Sequence, residues 1–390
     1  MLKTLYCRYL SSRSNKILKL ACRKSNTKIT LIKAYAIIAV VCSHCNGGGV
    51  VFPMSNWLPP SYYFMPLFLF TSGFFYKEET DTAKFFPFLK SKFSTLVLPY
   101  FVWNIFYGIA NYSFRSAGII SYGDPITFYS LFIRPWIDGH QYVFNIPSWF
   151  LLSLFIDVMA IFMIRKILCK FRILNDSILL AFTFILSLTC IYFSQKGYNT
   201  GFGLCFLRAG FLLPYFQLGY YYKKHERFFT CHKAITIAVL FVIMYISWIM
   251  AGEQGARPNA VFAKFTGNPL IITVLTISGI LLTATACDIL APAFEKSRMI
   301  HMIGDNTFTI MMHHGFIIFL INFALYLLTY FTDLASFDIL KFKSTIWYTY
   351  PWRDARIYIV YMILGIFTPL FFKWCSDKLI LRLCDKHNSL

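Results

Sequence analysis

The chain has 390 residues, 57% of them hydrophobic and 14% charged, with a formal net charge of +20. A soluble chain of this length would carry more charge and divide into domains, whereas here apolar blocks recur from end to end without a polar gap of domain size. The surplus cations lie in short segments between apolar runs, which fits a membrane-inserted chain and leaves no basic stripe or fold for nucleic acid.

The first 28 residues hold Lys3, Arg8, Arg13, Lys16, Lys19, Arg23, Lys24 and Lys28 and no acid. They read as a basic cytoplasmic N-terminal segment. Apolar runs then predict helices near residues 29–46, 61–76, 94–113, 147–164, 177–194, 203–222, 234–251, 268–290, 304–330 and 355–374. The expected architecture is an all-α integral membrane domain over 29–374 with about ten transmembrane helices, a tail over 375–390 and both termini cytoplasmic. Of the 37 Lys and Arg, 27 fall in segments assigned inside, Lys33 among them, and 9 outside, with Arg208 inside a helix. That three-to-one asymmetry supports an even number of spans. Several runs are shorter than the ~20 residues of a perpendicular span, so some helices must be extended, tilted or packed around a thin interior. The longest polar connection, residues 114–146, is assigned to the outer face and is long enough to cover a site.

Ionisable groups within apolar helices are costly and are therefore functional candidates. In the first helix Lys33 and His44 are eleven steps apart, which returns a side chain to within about 20° of the same face and separates the two by about 16 Å. One face thus offers a cation nearer the cytoplasm and an imidazole deeper or toward the outer side. The competing reading has Lys33 snorkelling to headgroups and His44 capping the helix end beside Gly47, Gly48 and Gly49. Cys42 and Cys45 flank His44, but no second ligand cluster stands near them in sequence, so no metal site is expected. The eleven cysteines are scattered singly and form no disulfide framework. Arg208 must face the interior, either in a site or in a structural ion pair with Asp157, the isolated acid of the run Phe150 to Met163. His313 and His314 point about 100° apart, so both cannot line one cavity equally.

At these residues the chain resembles the membrane-bound acyltransferase family three, particularly the fucose-acetylase-like sugar O-acetyltransferases, from about Lys28 to about Pro369. The most specific element is the basic residue, ten residues, then histidine of the first helix, present as Lys33 through His44. Lysine stands where arginine is commoner, which keeps the charge without the bidentate fork. Pro66-Leu67-Phe68-Leu69-Phe70-Thr71-Ser72-Gly73-Phe74 is similar to the family's Ser-Gly motif. Lys92-Phe93-Ser94-Thr95-Leu96-Val97-Leu98-Pro99-Tyr100 resembles the basic-to-Pro-Tyr segment, and Pro147-Ser148-Trp149-Phe150-Leu151 the Trp-Phe-Leu segment. Arg208 with Pro214, Phe216 and Gly219 resembles the Arg-to-Gly helix. Ile303-Gly304-Asp305-Asn306-Thr307 followed by His314 resembles the late Gly-x-Asn-Ser-to-His helix, with Thr for Ser.

The resemblance implies transfer of an acyl group, usually acetyl, from cytoplasmic acyl-coenzyme A to a hydroxyl of an envelope or surface saccharide or lipid-linked glycan, in a bacterial inner or plasma membrane. Lys33, helped by Lys90 or Lys92, would hold the phosphates of acetyl-CoA. His44 would be general base or acyl relay, and Arg208 or His314 would stabilise charge or orient the acceptor. An exporter of a saccharide or lipid-linked intermediate could line its path with the same residues, and a chain whose catalytic residues have drifted is a third reading.

Overall fold

The structure, a computed structural model, describes residues 26–45, 60–252, 255–335, 337–351 and 355–388. The basic segment up to Lys24 and the three glycines after His44 lie outside the described residues. The helices of eight residues or more, in chain order, are α1 (Thr27–Cys45), α2 (Phe64–Phe74), α3 (Phe85–Lys92), α4 (Leu98–Ser116), α5 (Trp149–Lys170), α6 (Asp176–Gln195), α7 (Gly201–Lys224), α8 (Lys233–Ala251), α9 (Pro269–Phe294), α10 (Arg298–Asp305), α11 (Thr307–Leu328) and α12 (Ala355–Asn388). Each of the ten predicted segments is helical. Eight helical stretches among the described residues are long and apolar enough to cross a membrane, α3 and α4 counting as one stretch continuous through a wide turn at Phe93–Val97. This is an all-α multi-pass membrane protein.

Three details depart from the sequence reading. A two-stranded antiparallel hairpin, β1 (Arg257–Asn259) with β2 (Lys264–Thr266), interrupts the helices. Helix α12 continues through the expected tail to Asn388. Lys28, read as part of the leader, is buried within α1, where its ammonium meets Glu226 at 2.8 Å and Asp288 at 3.3 Å. The run of cations therefore ends in a structural ion pair, because the first helix begins two residues earlier than its apolar pattern.

Although first in sequence, α1 lies at the centre, packed against α2, α9, α10, α11 and α12. By contrast α8 buries only 17% of its most apolar window and faces outward. Without water to drive helices together, close backbone approach does much of the holding. Helices α2 and α7 illustrate this with a reciprocal pair of glycines. A Cβ added to Gly73 would fall 1.8 Å from the Phe216 carbonyl oxygen, and one added to Gly219 would fall 1.9 Å from the carbonyl of Phe70. The Ser-Gly and Arg-to-Gly motifs thus supply a contact surface.

One end of the bundle is fastened by buried charge. The Arg165 guanidinium, 1% exposed, grips Asp81 at 2.9 Å and Asp176 at 2.7 Å and lies 4.1 Å over the ring of Tyr220. Lys224 joins Asp176 to Glu78 at 2.7 and 3.2 Å. This network ties α5, α6 and α7 to the segment after α2. Its partners satisfy Arg165 on every side, which is what permits a charge to be buried at all.

Candidate active site

His44 occupies the last turn of α1 and His314 the second turn of α11. The two helices run side by side in the same direction, because α10 and α11 follow α1 from its first turn upward. At the lower end Gly304 presses on α1 so closely that a Cβ would lie 2.3 Å from the Thr30 carbonyl oxygen. At the upper end His44 Nδ1 and His314 Nε2 are 2.9 Å apart. The eleven-step spacing of Lys33 and His44 is therefore realised: both side chains meet the α10–α11 segment.

With both imidazoles neutral, the hydrogen-bond chain fixes their tautomers. His314 Nδ1 lies 2.8 Å from the Ile310 carbonyl oxygen, which can only accept. His314 therefore carries its proton on Nδ1 and accepts at Nε2. His44 in turn donates from Nδ1, and its Nε2 keeps a lone pair. His314 is wholly buried, whereas His44 retains partial exposure. The imidazole of His44 also stacks on Trp347, with centroids 5.0 Å apart and planes 21° apart. An immobilised imidazole with an outward lone pair is the arrangement a general base or nucleophile requires.

His313 diverges as the 100° offset predicts, sharing a 2.6 Å hydrogen bond with the Tyr107 hydroxyl and meeting Trp103 edge-on. Cys42 points away from His44, its sulfur 3.0 Å from that of Met362. Among the described residues no group of three His, Cys, Asp or Glu is placed to hold a metal ion.

Lys33 lies at the opposite end of α1 from the histidines. Its ammonium is 3.4 Å from Asp305, which also meets the Thr30 hydroxyl at 3.4 Å. The pair is loose and partly exposed, with side chains 23% and 42% accessible. A contact of this kind is worth little and can be exchanged for another anion. Lys90 is exposed and Lys92 half-buried, its ammonium 5.3 Å from the Phe88 ring.

Arg208 does not pair with Asp157, one of the two readings its sequence position left open. Its Nη2 donates to the carbonyl of Val261 at 2.5 Å and reaches that of Asp138 at 3.4 Å, while the guanidinium lies 4.4 Å over Trp149. It joins α7 to the β-hairpin and to the long loop before α5, and none of these contacts brings it to His44. Asp157 is 1% exposed, and neither carboxylate oxygen has a hydrogen-bond partner among the described residues. Backbone carbonyls of loops, invisible as charges in a sequence, outcompeted the acid. The same loop carries His140, whose burial against Phe262 pushes its imidazole down to about 4, with Arg208 and Arg134 adding to the effect against Asp138.

Sequence reasoning passed over Asp305, Trp347 and Arg165. Asp305 stood inside a quoted motif, but nothing marked it as the partner of Lys33. Trp347 had no signal, lying in an aromatic-rich connection far along the chain. The acyltransferase-domain family matches residues 26–374 of the chain. Neither a curated protein nor a solved structure matches it.

Proposed function

We propose that this chain, which belongs to acyltransferase family 3, moves an acyl group, acetyl foremost, from cytoplasmic acyl-CoA to a hydroxyl of an envelope or surface saccharide. The observation that carries the reading is the chain Ile310 carbonyl, His314, His44, which leaves the His44 Nε2 lone pair free on a partly exposed ring. In the direct route His44 Nε2 takes the proton of the acceptor hydroxyl as its oxygen attacks the thioester carbonyl. The carbon–sulfur bond breaks, and the imidazolium returns the proton to the leaving thiolate. In the relayed route Nε2 itself attacks the thioester carbonyl and the carbon–sulfur bond breaks to release thiolate; the acceptor hydroxyl then cleaves the acyl–nitrogen bond, restoring the imidazole, and its proton goes to the thiolate. In both, the positive charge that develops on His44 is shared through Nδ1–H with His314, whose role is to hold tautomer and ring plane.

Lys33 is the phosphate-binding cation of this scheme, exchanging Asp305 for the donor. Lys90 and Lys92 supply further positive charge on α3. Arg208 serves the site by fastening the loop and hairpin, a more structural role than charge stabilisation.

The test is acyl transfer in inside-out membrane vesicles given isotope-labelled acetyl-CoA, comparing wild type with His44→Ala at matched expression. Label entering saccharide with wild type and not with the variant supports the reading. Transfer undiminished in His44→Ala removes His44 from the chemistry and leaves the enzyme class standing. Saccharide crossing the membrane without thioester consumption would instead identify an exporter.

A further inference from the structure

The connection between α11 and α12 carries the one aromatic ring stacked on His44 besides His314, among the described residues. Its anchoring is unusually complete for a loop. Asn322 of α11 donates to the Tyr348 carbonyl at 2.7 Å and accepts from the Tyr361 hydroxyl of α12 at 2.5 Å. The same hydroxyl receives the Tyr350 amide at 3.1 Å, and the Tyr348 hydroxyl receives that of Asp338 at 2.9 Å. Tyr348, 1% exposed, is wedged against Phe337 and Phe342. Trp347 lies between these fixed points, with its own amide bonded to the Thr345 hydroxyl at 3.2 Å.

A ring held this firmly is part of the scaffold of the site. The imidazole of His44 is fixed at one edge by His314 and on one face by the indole, so its plane is defined twice and the Nε2 lone pair has one direction. The indole, half-buried itself, covers part of that face. We propose that Trp347 is the positioning residue that reserves His44 for the acceptor hydroxyl, by clamping the imidazole and keeping water from competing as nucleophile. Competition by water has a definite chemical outcome: water attacks the thioester carbonyl, the carbon–sulfur bond breaks, acetate forms and the thiolate takes the proton. An enzyme that consumes a thioester needs to suppress this reaction, and excluding water from the base is a direct way to do so.

The coupling arm of the experiment rests on the reading of His44 as base; the labelling arm does not. In the vesicle assay, free coenzyme A and label in saccharide are measured together for wild type, Trp347→Ala and Trp347→Phe. The expected result is that thiol release keeps pace with transfer in wild type and Trp347→Phe, whereas Trp347→Ala releases thiol in excess by on the order of two- to fivefold, with the difference recovered as acetate. In parallel, purified full-length protein is treated with diethylpyrocarbonate, and modification of His44 is followed by mass spectrometry. It should be several times faster in Trp347→Ala, with thermal melts confirming that each variant is folded. Unchanged His44 modification in a folded Trp347→Ala overturns the proposal, as does thiol release that stays matched to transfer. If wild type transfers no label, the acyltransfer reading fails, and the modification rate still decides whether Trp347 shields the imidazole.

Discussion

Replacing His314 with leucine removes the acceptor of the His44 Nδ1 proton while keeping an apolar group of moderate size against α1. In wild type His44 lies 2.9 Å from His314, and His314 lies 2.8 Å from the Ile310 carbonyl, so on the proposed route an imidazolium at His44 would donate to His314. A hydrogen bond to a charged group contributes roughly 1.5–3 kcal/mol, which at 1.4 kcal/mol per factor of ten is a loss of about 10- to 150-fold in kcat/KM. If the orphaned imidazole also adopts the other tautomer, the lone pair turns to Nδ1 and the loss approaches the ~10⁴-fold seen when a catalytic histidine is held in the wrong tautomer. The assay is the vesicle transfer reaction at saturating and limiting acetyl-CoA. The fall should be in kcat with little change in the donor KM, since His314 lies at the far end of α1 from Lys33. His314→Asn, whose side-chain carbonyl can accept the same proton, should recover part of the rate. Activity of His314→Leu within about threefold of wild type would refute the tautomer argument, because that is less than 1 kcal/mol.

Three further outcomes follow from the geometry. Lys33→Gln should raise the acetyl-CoA KM with little change in kcat, and Lys33→Arg should retain donor binding; an unchanged KM in Lys33→Gln would remove Lys33 from the donor site. Arg165→Met leaves Asp81 buried without its cation and Asp176 with Lys224 alone, and should cost about 3–5 kcal/mol, read as a lower Tm in detergent; a melt that does not move would mean the network is not load-sharing. His140 has a folded-state value of about 4, below the ordinary ~6.5, so an unfolded chain binds its proton first as pH falls. Its contribution is intact above about pH 6.5 and is lost between about 6.5 and 4, so His140→Phe should flatten the dependence of Tm on pH in that window, and parallel profiles for variant and wild type would contradict the assignment.

The helices were legible because each is a local pattern of apolar residues bounded by charge or glycine. The pairing of Lys33 and His44 on one face was legible for a related reason: eleven helical steps nearly complete three turns, and both residues do meet the α10–α11 segment. What the sequence withheld were the partners. Asp305 and His314 reach α1 across 272 and 270 residues, and no local rule joins them. Arg208 misled because a guanidinium in an apolar helix invites a search for an acid, whereas here it turns Nη2 to two backbone carbonyls and its face to Trp149. The hairpin that provides one of those carbonyls is three residues a strand, too short to announce itself by alternation. Trp347 stayed hidden because aromatic residues are common here, and only tertiary structure tells which ring lies against His44.

The reciprocal contact of Gly73 and Gly219 has a consequence for how the protein is made. Helix α2 has 11 residues, a rise of about 16 Å against a hydrocarbon layer near 30 Å, so it cannot anchor itself in lipid as a longer segment does. It packs on α1, made before it, but its most extensive surface belongs to α7, which leaves the ribosome much later. The close contact of Gly73 with Gly219 can therefore form only after α7 is made. A bulkier residue at Gly219 would block that step of assembly, so its effect should be read in the amount of folded protein in the membrane before it is read in activity.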